Sequence, residues 1–259
     1  MSEELIFYKE QGQGPPLIIL HGLFGSSDNW QSLANRWQEK FRVILADARN
    51  HGRSFHSEEF DYDLMAGDLK KLMDHLNLDR AFIIGHSMGG KTLMRFAQLH
   101  SARIKAAIVA DIGPKAYPPH HDEIIEAFEA VDLEHTQTRK EAEEQVKSVI
   151  DDAGVVLFLL KNLYWKEKGK LGWRMNLKVL KEKITEVTPA LPDQQVDLPF
   201  LFVRGGKSNY ILNEDWPTIK EQFVNGHLVS LKNAGHWLHA EQPDAFYQTV
   251  NAYLEQFHD

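Results

Sequence analysis

Six short apolar runs, each closed by a turn signal, punctuate this 259-residue chain. They are "LIIL" (17–20), "RVILAD" (42–47), "AFIIG" (81–85), "AAIVAD" (106–111), "FLFVRG" (200–205) and "HLVSL" (227–231). A run that is apolar on both faces suits a parallel strand covered by helices. Helical patterns fill the gaps. "SSDNWQSLANRWQEK" places Trp30, Leu33, Ala34 and Trp37 on one face. "DYDLMAGDLKKLMDHLNL" does the same with Met65, Leu69, Leu72, Met73 and Leu76. The spacing predicts an α/β protein, a mostly parallel sheet with helices on both sides.

The alternation stops after "VADIGP". From about residue 115 to 190 no convincing strand is visible. "HHDEIIEAFEAV" and "NLKVLKEKITEV" read as helices, and "TRKEAEEQVKSVIDD" opens with Thr138 and Glu141 spaced as a capping box. The three prolines of "TPALPDQQVDLP" mark the return to the main domain. The expected organisation is a core of residues 1–114 and 191–259, with 115–190 inserted as a helical lid over the carboxyl ends of the strands. The lid's charge is uneven: residues 122–152 hold eleven acids and three bases, whereas 161–183 hold eight bases and two acids. The basic part is either a solvated face or a docking patch for an anionic substrate.

The most informative stretch is "GHSMGG" at 85–90, between a strand and a helix. G-x-S-x-G at such a turn is a nucleophile elbow, which raises the Ser87 hydroxyl above the sheet edge. Gly85 and Gly89 keep the tight turn free of clashes. The following helix aims amide groups at the site. Taken alone, the pentapeptide is equally a glycine turn that happens to hold a serine. Two further features favour chemistry. "LIILHGLFGSS" supplies an H-G-x-x-G loop, whose Leu23 amide, with that of Met88, can form an oxyanion hole. His21 is expected to be structural. "NAGHWLHAEQPDAF" places His236 after the last strand, where a catalytic base would arrive last in chain order. His239, three residues on, is a candidate to support His236, and no third ligand supports a metal at this pair.

A serine–histidine pair needs a carboxylate. The loop after the "FLFVRG" run reads "RGGKSNYILNEDW", with Ser208 where an acid is expected. Glu214 and Asp215 come later, and Asp215 reads as a helix cap. Asp111 ends the run that should neighbour "FLFVRG" and is the better candidate. Ser208 is then a fourth hydrogen-bonding member or a plain turn residue. Asp47 is expected to hold the "RNHG" loop.

Together, "HGLFGSSDNW", "DARNHGRS", "GHSMGGK", "DIGP", "RGGKSNY" and "AGHWLHAEQPDAF" resemble the α/β-hydrolase superfamily, and within it the YbfF-type bacterial esterases and related ABHD11-type mitochondrial hydrolases. The resemblance runs over nearly the whole chain. It implies an eight-stranded α/β-hydrolase sheet with a lid inserted after strand 6. It also implies an esterase or thioesterase acting on acyl chains, acyl-CoA included, with the aspartate of "DIGP" as the acid and the serine of "GGKSNY" in a tetrad. No cofactor is needed for such chemistry. Phe128, Phe158, Leu159 and Trp173 are the expected acyl-pocket residues of the lid. The rivals are a C–C bond hydrolase on the same scaffold and a ligand-binding protein that lost its chemistry.

Composition narrows the partners. A net charge of -8 argues against nucleic acid. The absence of cysteine removes disulfides and thiolate metal sites. "MSEELIFYKE" has no signal-peptide character, and the longest apolar run, "VVLFLL", is far short of a membrane span. A soluble, cytoplasmic enzyme acting on a small acyl ester or acyl-CoA is the expectation.

Overall fold

The computed structural model describes residues 4–119 and 121–257. Its first half runs β1 (Tyr8–Gln11), β2 (Pro16–Leu20), α1 (Gln31–Trp37), β3 (Arg42–Ala46), α2 (Tyr62–His75), β4 (Ala81–His86), α3 (Met88–His100) and β5 (Ile104–Ala110). An inserted segment follows with α4 (Asp122–Glu129), α5 (Arg139–Lys147), α6 (Ala153–Leu160), β6 (Leu163–Glu167), β7 (Lys170–Trp173) and α7 (Leu177–Glu182). The chain then returns through β8 (Phe200–Gly205), α8 (Trp216–Gln222), β9 (Gly226–Leu231), α9 (Leu238–Glu241) and α10 (Pro243–Leu254).

All six expected strands lie in one sheet of order β1-β3-β2-β4-β5-β8-β9. Only β1, paired with β3, is antiparallel. The strands alternate between two cores. In β4, Phe82 and Ile84 face α1 and α10 residues such as Trp37 and Phe246, whereas Ala81 and Ile83 face α2 and α3 residues such as Leu69 and Phe96. This two-sided burial is why these runs carry no polar alternation.

Two expectations need correction. The sheet has seven strands among the described residues, not eight, so the insertion follows the fifth strand in chain order. The insertion is also not wholly helical, because β6 and β7 pair as an antiparallel hairpin. The hairpin closes at Gly169, whose φ of +80° suits the turn. Its strands are rich in lysine and glutamate, and β6 is exposed beyond Tyr164, which hides it from a search for apolar runs. At α5 the N-cap half of the expected capping box forms, with Thr138 Oγ1 accepting from the Glu141 amide at 3.1 Å, while the Glu141 carboxylate accepts from the Gln137 amide at 2.8 Å.

Candidate active site

Five loops at the carboxyl ends of β2, β4, β5, β8 and β9 converge over the centre of the sheet, where ligands of open α/β sheets bind. The sharpest is the turn from β4 into α3. Ser87 sits between them at φ 51° and ψ -116°, outside the regions most side chains occupy. Its amide donates to Ala110 O at 3.0 Å, tying the turn to β5. A Cβ on Gly89 would lie 2.5 Å from Leu20 O, and one on Gly85 would collide with Gly89 O. The backbones of β2, β4 and α3 meet too closely here for any side chain. Gly89→Ala should therefore force apart backbone rather than a movable side chain, costing about 1–3 kcal/mol. A fall in Tm checks this.

Asp111 follows β5 and is fully buried, also at positive φ (50°). Its carboxylate collects three donors. Oδ1 accepts from the Gly205 amide at 2.9 Å, and Oδ2 from the Ser208 hydroxyl and from His236 Nδ1, the latter at 2.8 Å. Since β5 and β8 are neighbours, the acid from one loop reaches the serine of the next. Glu214 and Asp215 take no part: the Asp215 carboxylate holds the Leu212 amide and Lys115. Tyr210 lies flat on the His236 ring, centroids 3.8 Å apart. Burial, with a smaller contribution from Asp111, pushes its hydroxyl up to about 12, so it stays neutral. This partner escaped the sequence reading, although it closes the "GGKSNY" motif.

Ser87 and His236 line one cavity of about 190 Å3. No hydrogen bond joins the two side chains, the His236 ring being bonded through Nδ1 to Asp111. The loop after β2 forms the opposite wall. There the Phe24 amide is committed to His51 Nε2 at 3.1 Å, and the Gly25 amide to Gly22 O at 2.9 Å. Asn162, from the inserted segment, donates to Phe24 O at 2.7 Å, so both backbone groups of this left-handed residue are held. Among the described residues the Leu23 amide has no such partner. Neither does that of Met88, the first residue of α3. Leu23, Met88 and Ser87 together line a second, smaller cavity.

Buried histidines frame the site. His21 Nε2 accepts from the Ala48 amide at 3.0 Å, the structural part expected of it. Burial drives His51 and His239 each down to about 3 and His86 well below its ordinary value, so these rings are neutral. His239 stacks on Trp30, and His86 Nε2 meets His236 O at 2.9 Å. Asp47 holds the amides of Ser27 and Arg53 at 2.6 and 2.8 Å, and so supports the "RNHG" loop as expected.

Of the four lid residues expected around an acyl chain, the main cavity takes only Phe158. Phe128, Leu159 and Trp173 pack into the core instead, Phe128 against Phe24 and Trp173. Their place is filled by Ile124, Trp237 and Tyr210. Lys166, Lys168 and Lys170 stand exposed on the β6–β7 hairpin and do not line the cavity.

A model of the α/β-hydrolase fold matches residues 15–150, just over half of the chain. The chain belongs to the α/β-hydrolase family. Among its hydrolase relatives is the mouse protein named sn-1-specific diacylglycerol lipase ABHD11, 37% identical over 93% of this chain and 81% of the relative. Another is Esterase YbfF of Escherichia coli, 36% identical over 95% of each. A solved structure titled marine microorganism esterase superposes with a TM-score of 0.94 at 42% identity, covering 97% of this chain and all of the other. These likenesses place the chain with the esterases and lipases of the family. Among the described residues no helix is long and apolar enough to cross a membrane.

Proposed function

We propose that this protein hydrolyses carboxylic esters through an acyl-enzyme on Ser87. The observation that carries this reading is the hydrogen-bonded chain Ser208–Asp111–His236, which ends at the wall of the cavity that Ser87 shares. Asp111 fixes His236 with its Nδ1 proton inward, leaving Nε2 to act as base. As the Ser87 oxygen attacks the ester carbonyl, Nε2 takes its proton. The amides of Leu23 and Met88 receive the oxyanion. The imidazolium, covered by the Tyr210 ring, then protonates the leaving alcohol as its C–O bond breaks. Water, deprotonated by His236, cleaves the acyl-enzyme and releases the acid and free Ser87. Ser208 and the Gly205 amide hold the Asp111 side chain in place, which makes the acid a member of a tetrad.

The main cavity is lined by Phe24, Trp30, Ile124, Phe158 and Trp237, which suits an apolar arm of the ester. A larger groove of about 580 Å3 shares Asn29, Phe158, Trp237 and His239 with it and carries the exposed Leu157 on its wall, so it would lead a longer chain outward. The inserted segment acts as the lid, and the named relatives support acyl esters as the substrate class. The reading as a C–C bond hydrolase has no observation in its favour.

Thioesters of CoA are the alternative leaving group. The exposed hairpin lysines lie outside the cavity, and only Lys161 of the basic stretch lines the outer groove. p-Nitrophenyl esters and acyl-CoA thioesters of matched chain length separate the two. Neutral esters should be faster, with rates insensitive to salt. A thioester preference that weakens with added salt would instead assign the basic stretch to the CoA phosphates.

A further inference from the structure

The smaller cavity holds a cation that the ester reaction above does not use. Lys91 lies one turn after Ser87 on α3 and is only 1% exposed. Its ammonium donates to Pro189 O at 2.6 Å. The faces of Tyr62 and Tyr117 lie 5.5 and 5.2 Å from Nζ. No carboxylate among the described residues pairs with it. A buried ammonium has three donors and ordinarily has a counter-charge. Among the described residues, two of the Lys91 donors have no acceptor.

Lys91 lines this cavity of about 30 Å3 together with Ser87, Leu23 and Met88. Its volume suits a carboxylate or about two waters. The nearby phenol groups already have partners. Tyr62 donates to Val187 O and Tyr117 to Tyr210 O, each at 2.8 Å, and Tyr117 also accepts from the Gly113 amide. The open donors of Lys91 thus face a space that adjoins the nucleophile and both oxyanion amides.

We infer that Lys91 is a specificity residue that binds a carboxylate on the short arm of the substrate, so that half-esters of short dicarboxylic acids, or esters of short hydroxy acids, are preferred over neutral isosteres. The inference rests on Ser87-dependent ester hydrolysis. The long arm occupies the apolar cavity and the short anionic arm the Lys91 cavity, with the scissile carbonyl at Ser87 between them.

The test is a ratio of kcat/KM values. On the acid side, monoethyl malonate is compared with ethyl isovalerate, which replaces the carboxylate by an isopropyl group. On the alcohol side, O-acetylglycolate is compared with isobutyl acetate. At pH 7 one of the two anionic-to-neutral ratios should fall about tenfold or more in Lys91→Met, whatever the variant does to the neutral ester. A purely structural clamp on Pro189 would lower both members of a pair alike and leave the ratio unchanged, which overturns the inference.

The wild-type enzyme gives a second measurement that needs no variant to fold. Burial lowers Lys91 to about 8, so its charge, and with it the anion preference, should decline between pH 7 and 9 while the substrate carboxylate stays ionised. Among the described residues, the titratable groups facing Lys91 are Tyr62 from α2, Tyr117 and His121 from the segment after β5, and Tyr210 from the loop after β8, with the Lys115–Asp215 pair beyond Tyr117. Burial raises all three tyrosines, which keeps them neutral over this range. The wild-type ratio at pH 9 should approach that of Lys91→Met at pH 7. A ratio flat with pH in the wild type contradicts the inference. If neutral esters are not hydrolysed at all, the ester reading itself fails; if they are hydrolysed without anion preference, only the role of Lys91 fails.

Discussion

Ser87→Ala should lower kcat for a p-nitrophenyl ester on the order of 10^5–10^6-fold, with KM little changed. The loss corresponds to about 7–8 kcal/mol of transition-state stabilisation. It is large because the other groups act only through the serine: His236 has no proton to take, and the amides of Leu23 and Met88 face no tetrahedral carbon. The residual rate would come from binding and the oxyanion amides alone. Stability should barely move, since Ser87 makes no side-chain capping bond and its backbone geometry tolerates alanine as well as serine. Melting curves of the two proteins, with the rate assay, separate lost chemistry from lost fold.

The second large effect is expected at Asp111. Asp111→Asn keeps the shape but replaces an acceptor-only group with one that also donates. Three donors now converge on it: the Gly205 amide, the Ser208 hydroxyl and His236 Nδ1. The asparagine amide must turn its NH2 toward at least one of them. If that is His236, the imidazole takes the other tautomer and presents Nε2–H to Ser87, unable to act as base. kcat should fall about 10^3–10^4-fold. Ser208→Ala removes one of the donors and leaves the aspartate–histidine bond, so a loss of about tenfold is expected. Equal losses in the two variants would place the essential contact at Ser208; no loss at Asp111→Asn would remove the aspartate from the mechanism.

What could be read in the sequence followed how local each signal is. Ser87 and His236 announce themselves because a strand, a turn and a helix are contiguous in the chain, and the required glycines are part of the same hexapeptide. Asp111 carries no motif of comparable strength. It was reached through sheet order, since β5 had to lie beside β8, and the observed pairing supplies that neighbour. Tyr210 could not be reached in this way, because its contact with His236 joins two loops 26 residues apart through ring stacking. The lid was the least legible part. Phe128, Leu159 and Trp173 have the apolar character of pocket residues, but periodicity does not tell which side of a helix faces the core and which a cavity. The β6–β7 hairpin was missed because its strands bury little and so lack the apolar signature of the six runs that form β2, β3, β4, β5, β8 and β9. Lys91 stood inside the quoted "GHSMGGK" and read as a helix residue, since only the fold shows that no carboxylate among the described residues comes to meet it.

The central claim, a covalent acyl-enzyme on Ser87, is tested most directly by trapping it. The protein is mixed with a p-nitrophenyl ester, quenched in acid within the first turnover, digested and mapped by mass spectrometry. The account predicts one acyl group per chain, on the peptide containing Ser87, appearing together with a burst of p-nitrophenol and absent from Ser87→Ala. Turnover with no adduct at any time point, or an adduct on a different residue, would contradict it.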